Sequence, residues 1–142
     1  MSTIHIARDR THVELCFPAM RQLRPHLDQS QFVDRVLRQM NEGYLLGYVE
    51  QQGLAVAVGG FRYSDNLAWG RHMYIDDLVT LETQRSKGFG RVLFGWLIAQ
   101  ARAHGCEQLH LDSGVQRFGA HRFYLDQRME ITSHHFALDL RR

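Results

Sequence analysis

Residues 75–104 read IDDLVTLETQRSKGFGRVLFGWLIAQARAH, and the predicted fold depends most on this segment. It completes a long apolar strand predicted over residues 69–80, crosses a polar loop and enters a helix near Phe89. Gly105 suits the position just past the end of that helix. A further strand is predicted over residues 108–112. A strand, a helix and a strand in this order predict a βαβ crossover in a sheet.

The segments on either side of this stretch predict a mixed α/β fold. Pro18 is expected to kink or divide the first helix, and Asp28 or Ser30 to cap the second. Gly59 and Gly60 indicate a bulge or sharp bend in the third strand. The predicted order is β-α-α-β-β-β-α-β-α-β, with strands at 4–6, 44–50, 54–63, 69–80, 108–112 and 131–140 and helices at 12–24, 32–40, 89–104 and 115–126.

Composition predicts one domain over residues 1–142, 44% hydrophobic and 23% charged. A net charge of +2 with scattered basic residues does not favour nucleic acid, and no apolar run is long enough to span a membrane. Cys16 and Cys106 are isolated, which suits a reducing compartment. With no apolar signal segment at the start, the chain is expected to be cytoplasmic. The spacing of the histidines predicts no metal site.

The loop Arg85-Ser86-Lys87-Gly88-Phe89-Gly90 is the first candidate for chemistry. The first turn of a helix has unpaired N–H groups and a partial positive charge. Glycines at 88 and 90 let the backbone approach a phosphate closely, and Arg85 and Lys87 add positive charge. The string matches neither the dinucleotide fingerprint nor the P-loop. It predicts a phosphate site, with a plain β-to-α turn as the alternative.

Together with its flanks, this loop resembles motif A of the GCN5-related N-acetyltransferases, whose signature is (Q/R)-x-x-G-x-(G/A). Asp77-Leu78-Val79-Thr80 precedes it and Val92-Leu93-Phe94 follows it. Ala120-His121-Arg122-Phe123-Tyr124 is similar to the motif B helix of that family. The resemblance implies that family's acyl-CoA N-acyltransferase fold and acetyl-CoA as the donor. The segment Asp112-Ser113-Gly114 departs from the family pattern, because Ser113 stands near the position of a common asparagine.

The resemblance also implies roles for individual residues. Backbone groups of Leu78, Val79 and Thr80 would bind the pantetheine arm. Phe123 would pack near the tail of the cofactor, and the Tyr124 hydroxyl would protonate the departing thiolate. The pyrophosphate would be held by Arg85, Ser86, Lys87, Gly88, Phe89, Gly90 and Arg91. The alternative for Tyr124 is a core aromatic beside Phe123.

Two acids, Asp76 and Asp77, are candidates for the general base that activates the amine. Strict strand alternation places them on opposite faces, so only one is expected to reach the acceptor. Asp76 is favoured from its spacing to Arg85, which matches the catalytic glutamate position in polyamine-acetylating relatives. Since Asp is shorter than Glu, proton removal through a water is expected. The alternative is that either acid binds a cationic substrate or pairs with an arginine.

The resulting prediction is an acetyl-CoA-dependent N-acetyltransferase acting on a primary amine of a small molecule. Transfer is expected to be direct, in a ternary complex, because neither cysteine has an evident histidine relay. A non-catalytic acyl-CoA-binding sensor or assembly module and a peptide or protein N-acetyltransferase remain alternatives. The sequence does not identify the acceptor or the base, and it leaves a homodimer open.

Overall fold

The computed structural model describes residues 2–141 and has a five-stranded sheet in the order β1-β2-β3-β4-β5. The chain divides into two compact units, Met1–His110 and Leu111–Arg142. The strands are β1 (Thr3–Ile6), β2 (Leu45–Gln51), β3 (Leu54–Asn66), β4 (Gly70–Thr80) and β5 (Gln108–Leu111). The helices are α1 (Arg10–Leu15), α2 (Phe17–Leu23), α3 (Gln29–Met40), α4 (Phe89–Ala103) and α5 (Phe118–Asp126), with a 3-10 turn at Glu82–Gln84.

The mixed α/β architecture predicted from the sequence is confirmed, and most element positions agree. The first helix divides at Cys16, where Pro18 lies in the opening turn of α2. Asp28, rather than Ser30, caps α3. Its side chain accepts a hydrogen bond from the Gln31 backbone, and the Gln31 side chain bonds back to the Asp28 backbone. No helix in the described part of the chain is long and apolar enough to cross a membrane.

The first four strands form an antiparallel meander whose two faces are packed differently. Leu46 and Tyr48 of β2 and Val58 of β3 belong to a buried cluster with side chains of α1, α2 and α3. On the opposite face, Gly47 leaves room for the Trp96 ring of α4, since a Cβ there would come within 2.7 Å of it. The alternation of side chains along each strand therefore sorts residues between the α1–α3 side and the α4 side.

The pairing of β3 with β4 contains a bulge. Gly59 and Gly60 predicted a bulge in the third strand, but here the extra residue lies on the opposite strand, β4. Gly60 lies opposite Asp77 and Phe61 lies opposite Ile75, so Asp76 is the extra residue on β4. Residues directly opposite in an antiparallel pair share a face. Asp77 therefore lies on the same face as Gly60, and Ile75 lies on the same face as Phe61. These are opposite faces, because Gly60 and Phe61 are neighbours on β3. The bulge reverses the alternation within β4.

The second unit contains α5 and the C-terminal segment. The strand predicted at 131–140 is wrong, because the structure has no strand there. The apolar side chains that suggested it, Ile131, Phe136, Leu138 and Leu140, are 80% to 91% exposed. Alternation alone does not make a strand, since a strand is stable only when it pairs with another and buries one face.

Candidate active site

A pocket of about 350 Å³ lies in the first unit. It is lined by residues of α2 and α3 and the segment between them, by Tyr44, and by residues of β3 and the bulged strand β4. It combines apolar walls with an unusual concentration of charge. Asp76 and Asp77 both line it, so the prediction that they face opposite sides is wrong. The bulge at Asp76 is the physical reason. The lining residues are Met20, Arg24, His26, Leu27, Phe32, Arg35, Val36, Gln39, Tyr44, Arg62, Asp76 and Asp77.

The Asp77 carboxylate is held on both of its oxygens. Oδ1 accepts a hydrogen bond from Arg24 Nε at 2.9 Å, and Arg24 Nη2 lies 2.8 Å from the same oxygen. Oδ2 accepts one from the hydroxyl of buried Tyr44 at 2.7 Å. Burial, followed by the negative charge of Asp77, raises the pKa of Tyr44 well above its usual value. The Tyr44 hydroxyl therefore keeps its proton and donates it in a hydrogen bond, and both oxygens of Asp77 accept hydrogen bonds from other side chains of the protein.

The Asp76 carboxylate is held on one oxygen only. Oδ2 accepts a hydrogen bond from Arg62 Nε at 2.9 Å. Oδ1 is buried and has no hydrogen-bond partner among residues 2–141. Burial raises the pKa of Asp76, and the hydrogen bond and charge of Arg62 oppose that rise. An acceptor oxygen buried without a donor costs about 1–3 kcal/mol, so a substrate N–H that reached it would remove that cost.

The loop that resembles motif A connects β4 to α4 and is largely exposed. Gly88 caps α4 with φ +87°, a left-handed conformation that favours glycine. A Cβ at Gly88 would meet nothing within 4 Å, so the space there is open. Ser86 is also left-handed, at φ +67°, and Lys87 Nζ donates to Gln84 Oε1 at 3.1 Å. The predicted basic residues Arg85, Lys87 and Arg91 are exposed, whereas Phe89 and Gly90 are half-buried.

The strand residues predicted to bind the donor through their backbone are paired with β3 on one side. Leu78, Val79 and Thr80 lie opposite Gly59, Val58 and Ala57. The Thr80 carbonyl also accepts a hydrogen bond from the Gln22 side-chain amide at 3.1 Å. Gln22 in turn accepts from the backbone N–H of Glu82 at 2.8 Å. Helix α2 thus fixes the point where β4 turns into the loop.

Tyr124 and Phe123 lie in α5 of the second unit. Tyr124 is buried, with 8% of its surface exposed, and its ring meets that of Phe123 edge-on. Burial raises the pKa of Tyr124, although the nearby Arg117 guanidinium partly offsets this. The phenol therefore stays protonated near neutral pH. Ser113, just before α5, has a buried hydroxyl without a hydrogen-bond partner in the described chain.

Neither cysteine has the surroundings of a nucleophile. Cys16 is fully buried, and burial raises its pKa far above the usual range. Burial also raises the pKa of Cys106, although Arg71 opposes this. Both changes disfavour the reactive thiolate. Among residues 2–141, no three His, Cys, Asp or Glu side chains are grouped so as to hold a metal.

Pairing of either acid with an arginine was the stated alternative, and both acids are paired in this way. The sequence did not identify Arg24, Arg62 and Tyr44 as the partners. Arg24 and Asp77 are 53 residues apart in the chain, and Tyr44 and Asp77 are 33 apart. Arg62 and Asp76 are 14 apart and lie on neighbouring strands. Only the last pair had a signal in the sequence, since the strands predicted at 54–63 and 69–80 are consecutive, and a basic and an acidic residue on adjacent strands can form a cross-strand pair.

Comparison with known proteins agrees with this architecture. A TM-score of 0.83 relates the chain to the ribosomal-protein-alanine N-acetyltransferase of Brucella melitensis biovar Abortus 2308, at 13% identity over 99% of this chain and 100% of that one. A TM-score of 0.81 relates it to the aminoglycoside N-acetyltransferase AAC(6')-Iy in complex with CoA, at 15% identity over 99% and 97%. The fold is therefore that of an N-acyltransferase.

Sequence similarity gives the family. The acetyltransferase (GNAT) family matches residues 10–128. An uncharacterized N-acetyltransferase of Bacillus subtilis (strain 168), YhdJ, is 35% identical over 112 residues, 78% of this chain and 79% of that protein. The chain belongs to the acetyltransferase (GNAT) family and is an acyltransferase.

Proposed function

We propose that this protein transfers an acetyl group from acetyl-CoA to a primary amine of a small molecule, directly and within a ternary complex. The observation that carries this proposal is the unpaired Oδ1 of Asp76, a buried acceptor on a residue that lines a pocket of about 350 Å³. A pocket of this size suits a small acceptor. Two unpaired cysteines suit a reducing compartment, and we place the reaction in the cytoplasm.

Asp76 is the proposed general base, and Asp77 supports it. Both Asp77 oxygens already accept hydrogen bonds, whereas Asp76 keeps one oxygen for the substrate. The raised pKa of Asp76 makes its carboxylate a stronger base than an ordinary aspartate. Asp76 would bind the ammonium group of the acceptor and take its proton, directly or through a water, before the nitrogen attacks.

The loop at residues 85–90 is the proposed donor site, and its residues fit a pyrophosphate. The space beside Gly88, at the start of α4, is open, and the exposed Arg85, Lys87 and Arg91 supply positive charge. The backbone of Leu78, Val79 and Thr80 would bind the pantetheine arm, and Phe123 would contact the cofactor. Bound acetyl-CoA would supply an activated thioester carbonyl.

Tyr124 is the proposed acid for the departing thiolate. Its pKa is raised by burial, so the hydroxyl carries a proton to give at neutral pH. Direct transfer is favoured over an acetyl-cysteine, because burial raises the pKa of both thiols.

The test measures release of free CoA from acetyl-CoA with a panel of primary amines. We expect turnover with the unaltered protein and a loss of about 10²–10⁴-fold in kcat for Asp76→Asn and Tyr124→Phe, with acetyl-CoA binding retained. Arg38→Gln, on the exposed face of α3, is the matched control and should behave as the unaltered protein. Acetyl-CoA binding with no turnover on any amine would instead indicate a non-catalytic binding module. A stoichiometric acetyl-cysteine caught during turnover would exclude direct transfer.

A further inference from the structure

One face of α3 forms a wall of the pocket and brings a cation to it. Phe32, Arg35, Val36 and Gln39 recur at the spacing of a single helical face, and all of them line the pocket. Phe32 and Val36 are buried and fix the position of the helix, whereas Arg35 is exposed. The packing of α3 therefore holds the start of the Arg35 side chain at the pocket while its guanidinium remains accessible.

The charges in the pocket do not balance. Arg24 is paired with Asp77 and Arg62 with Asp76, so each aspartate already has one arginine. The guanidinium of Arg35 has no hydrogen bond or ion pair within residues 2–141. His26 lines the same pocket. The third arginine leaves the pocket with an excess of positive charge. A polycationic acceptor would be repelled, and an acceptor with a negative group would be favoured.

Arg35 and Asp76, whose Oδ1 is unpaired, line the same pocket. Gln39 Oε1 accepts a hydrogen bond from Arg62 Nη2 at 2.9 Å, and Arg62 Nε is bonded to Asp76. Arg35 precedes Gln39 by about one turn of α3, which is a displacement of about 6 Å along the helix axis. An acceptor whose amine and anionic group are a few bonds apart would reach both.

We infer that the acceptor is a small amine carrying an acidic group, a carboxylate or a phosphate, that Arg35 binds while Asp76 Oδ1 binds the amine. Arg35 is then the residue that determines specificity. This inference rests on the proposed function, and it goes further by excluding plain alkylamines and polyamines as preferred acceptors. A guanidinium suits either acid, because its planar donors match two oxygens of a carboxylate or a phosphate.

The experiment compares four probe amines on the full-length protein with saturating acetyl-CoA. 4-Aminobutanoate carries a carboxylate, 2-aminoethyl phosphate carries a phosphate, butylamine is without an acidic group, and 1,4-diaminobutane is a dication. We expect kcat/KM for at least one acidic amine to exceed that for butylamine by about tenfold or more, the contribution of one charge-assisted hydrogen bond. The dication should be the poorest. The two acidic probes distinguish carboxylate from phosphate.

Variants of α3 assign the preference to Arg35. Arg35→Ala should reduce the ratio of acidic amine to butylamine towards one, mainly through KM, and Arg35→Lys should restore part of it. Arg38→Ala, on the same helix but outside the pocket lining, should leave the ratio unchanged. If the unaltered protein had the same kcat/KM for the acidic amines and butylamine, or if Arg35→Ala left the ratio of the two unchanged, the inference would be overturned. The proposed function would still stand.

A second readout separates the two proposals. If no amine is turned over, the proposed function fails, and calorimetric titration of the same amines into the CoA complex still tests the pocket. Binding of an acidic amine that is lost in Arg35→Ala would support the inference. Equal binding of butylamine, or no binding of any of the four, would overturn it.

Discussion

Asp76 and Arg62 form a cross-strand ion pair in which Arg62 Nε lies 2.9 Å from Asp76 Oδ2. The same guanidinium donates to Gln39 through Nη2, so its plane is fixed by two acceptors. Oδ2 is fixed in this way, whereas Oδ1 is buried and has no hydrogen-bond partner within residues 2–141. Arg62 therefore has two effects on the proposed base: it orients the carboxylate, and it opposes the rise in pKa that burial causes.

The pH dependence of the reaction should follow from this pair. A general base works in its deprotonated form, so kcat/KM should fall as the pH drops through the pKa of Asp76. Arg62 lowers that pKa, so replacing it by glutamine should raise the pKa further. The acidic limb of the kcat/KM profile for Arg62→Gln is then expected at higher pH than in the unaltered protein.

The control for this shift is Arg71→Gln on the same strand as Asp76 but outside the pocket lining. Its acidic limb should coincide with that of the unaltered protein. A limb that stays in place or moves to lower pH in Arg62→Gln would show that Asp76 does not limit the reaction as a base. In Asp76→Asn the limb should disappear together with most of the activity.

Asp77 should contribute more to the free energy of unfolding than to the rate of the reaction. Tyr44 is 3% exposed, and Tyr44→Phe would remove the donor to Asp77 Oδ2. We expect this change to lower the free energy of unfolding by about 1–3 kcal/mol, because it leaves part of a charged acceptor unsatisfied. Urea denaturation measures the loss. Tyr63→Phe, whose ring stacks on His104, should change it by less than about 0.5 kcal/mol.

Much of this fold follows from local patterns in the sequence. The helical spacing of apolar residues in α3 and α4 predicts both helices, and Gly88 predicts the turn into α4. Asp28 caps α3 because its carboxylate reaches the exposed N–H of Gln31, a contact confined to neighbouring residues. Such features depend on the chain within one or two turns, so the sequence alone contains the information.

The orientation of Asp76 and Asp77 could not be derived in that way. Their alternation within β4 predicts opposite faces, but the bulge arises from how β4 pairs with Gly60 and Phe61. The prediction of a last strand was wrong for a related reason. Phe136 and Leu138 have strand-like spacing, but the segment containing them is not part of a strand. Pairing between distant segments decides both cases.

The loop at residues 85–90 should control donor affinity rather than acceptor affinity. Arg85→Ala removes an exposed cation, and we expect KM for acetyl-CoA to rise by about five- to tenfold at low salt, with KM for the amine little changed. The difference should shrink as salt is added, because exposed charges are screened. Arg102→Ala is the control, because Arg102 is also an exposed arginine but lies in the last turn of α4, at the end away from the loop. An effect confined to the amine would contradict a donor role for the loop.

Gly88 tests the same loop through its backbone. At φ +87° any other residue is strained, and a Cβ would occupy the open space beside the first turn of α4. Gly88→Ala should therefore weaken acetyl-CoA binding and also lower the free energy of unfolding by about 1 kcal/mol or more. Isothermal titration and urea denaturation measure the two effects separately. Unchanged donor binding in a folded variant would argue against a phosphate at this position.

Gly60 links the bulge to the pocket, and its replacement should disturb both. A Cβ at Gly60 would collide with the hydroxyl end of Tyr44, which cannot move away cheaply because it is buried and bonded to Asp77. Gly60→Ala should lower the free energy of unfolding by about 1–3 kcal/mol, the usual cost of overpacking, and should reduce turnover. Gly95→Ala is the matched control, since Gly95 lies in α4 and a Cβ there meets nothing within 4 Å. That change should instead raise the free energy of unfolding by about 0.5–1 kcal/mol, because alanine loses less conformational entropy in a helix. If Gly60→Ala were as stable and active as the unaltered protein, the Tyr44–Asp77 contact would not be the constraint that shapes this side of the pocket.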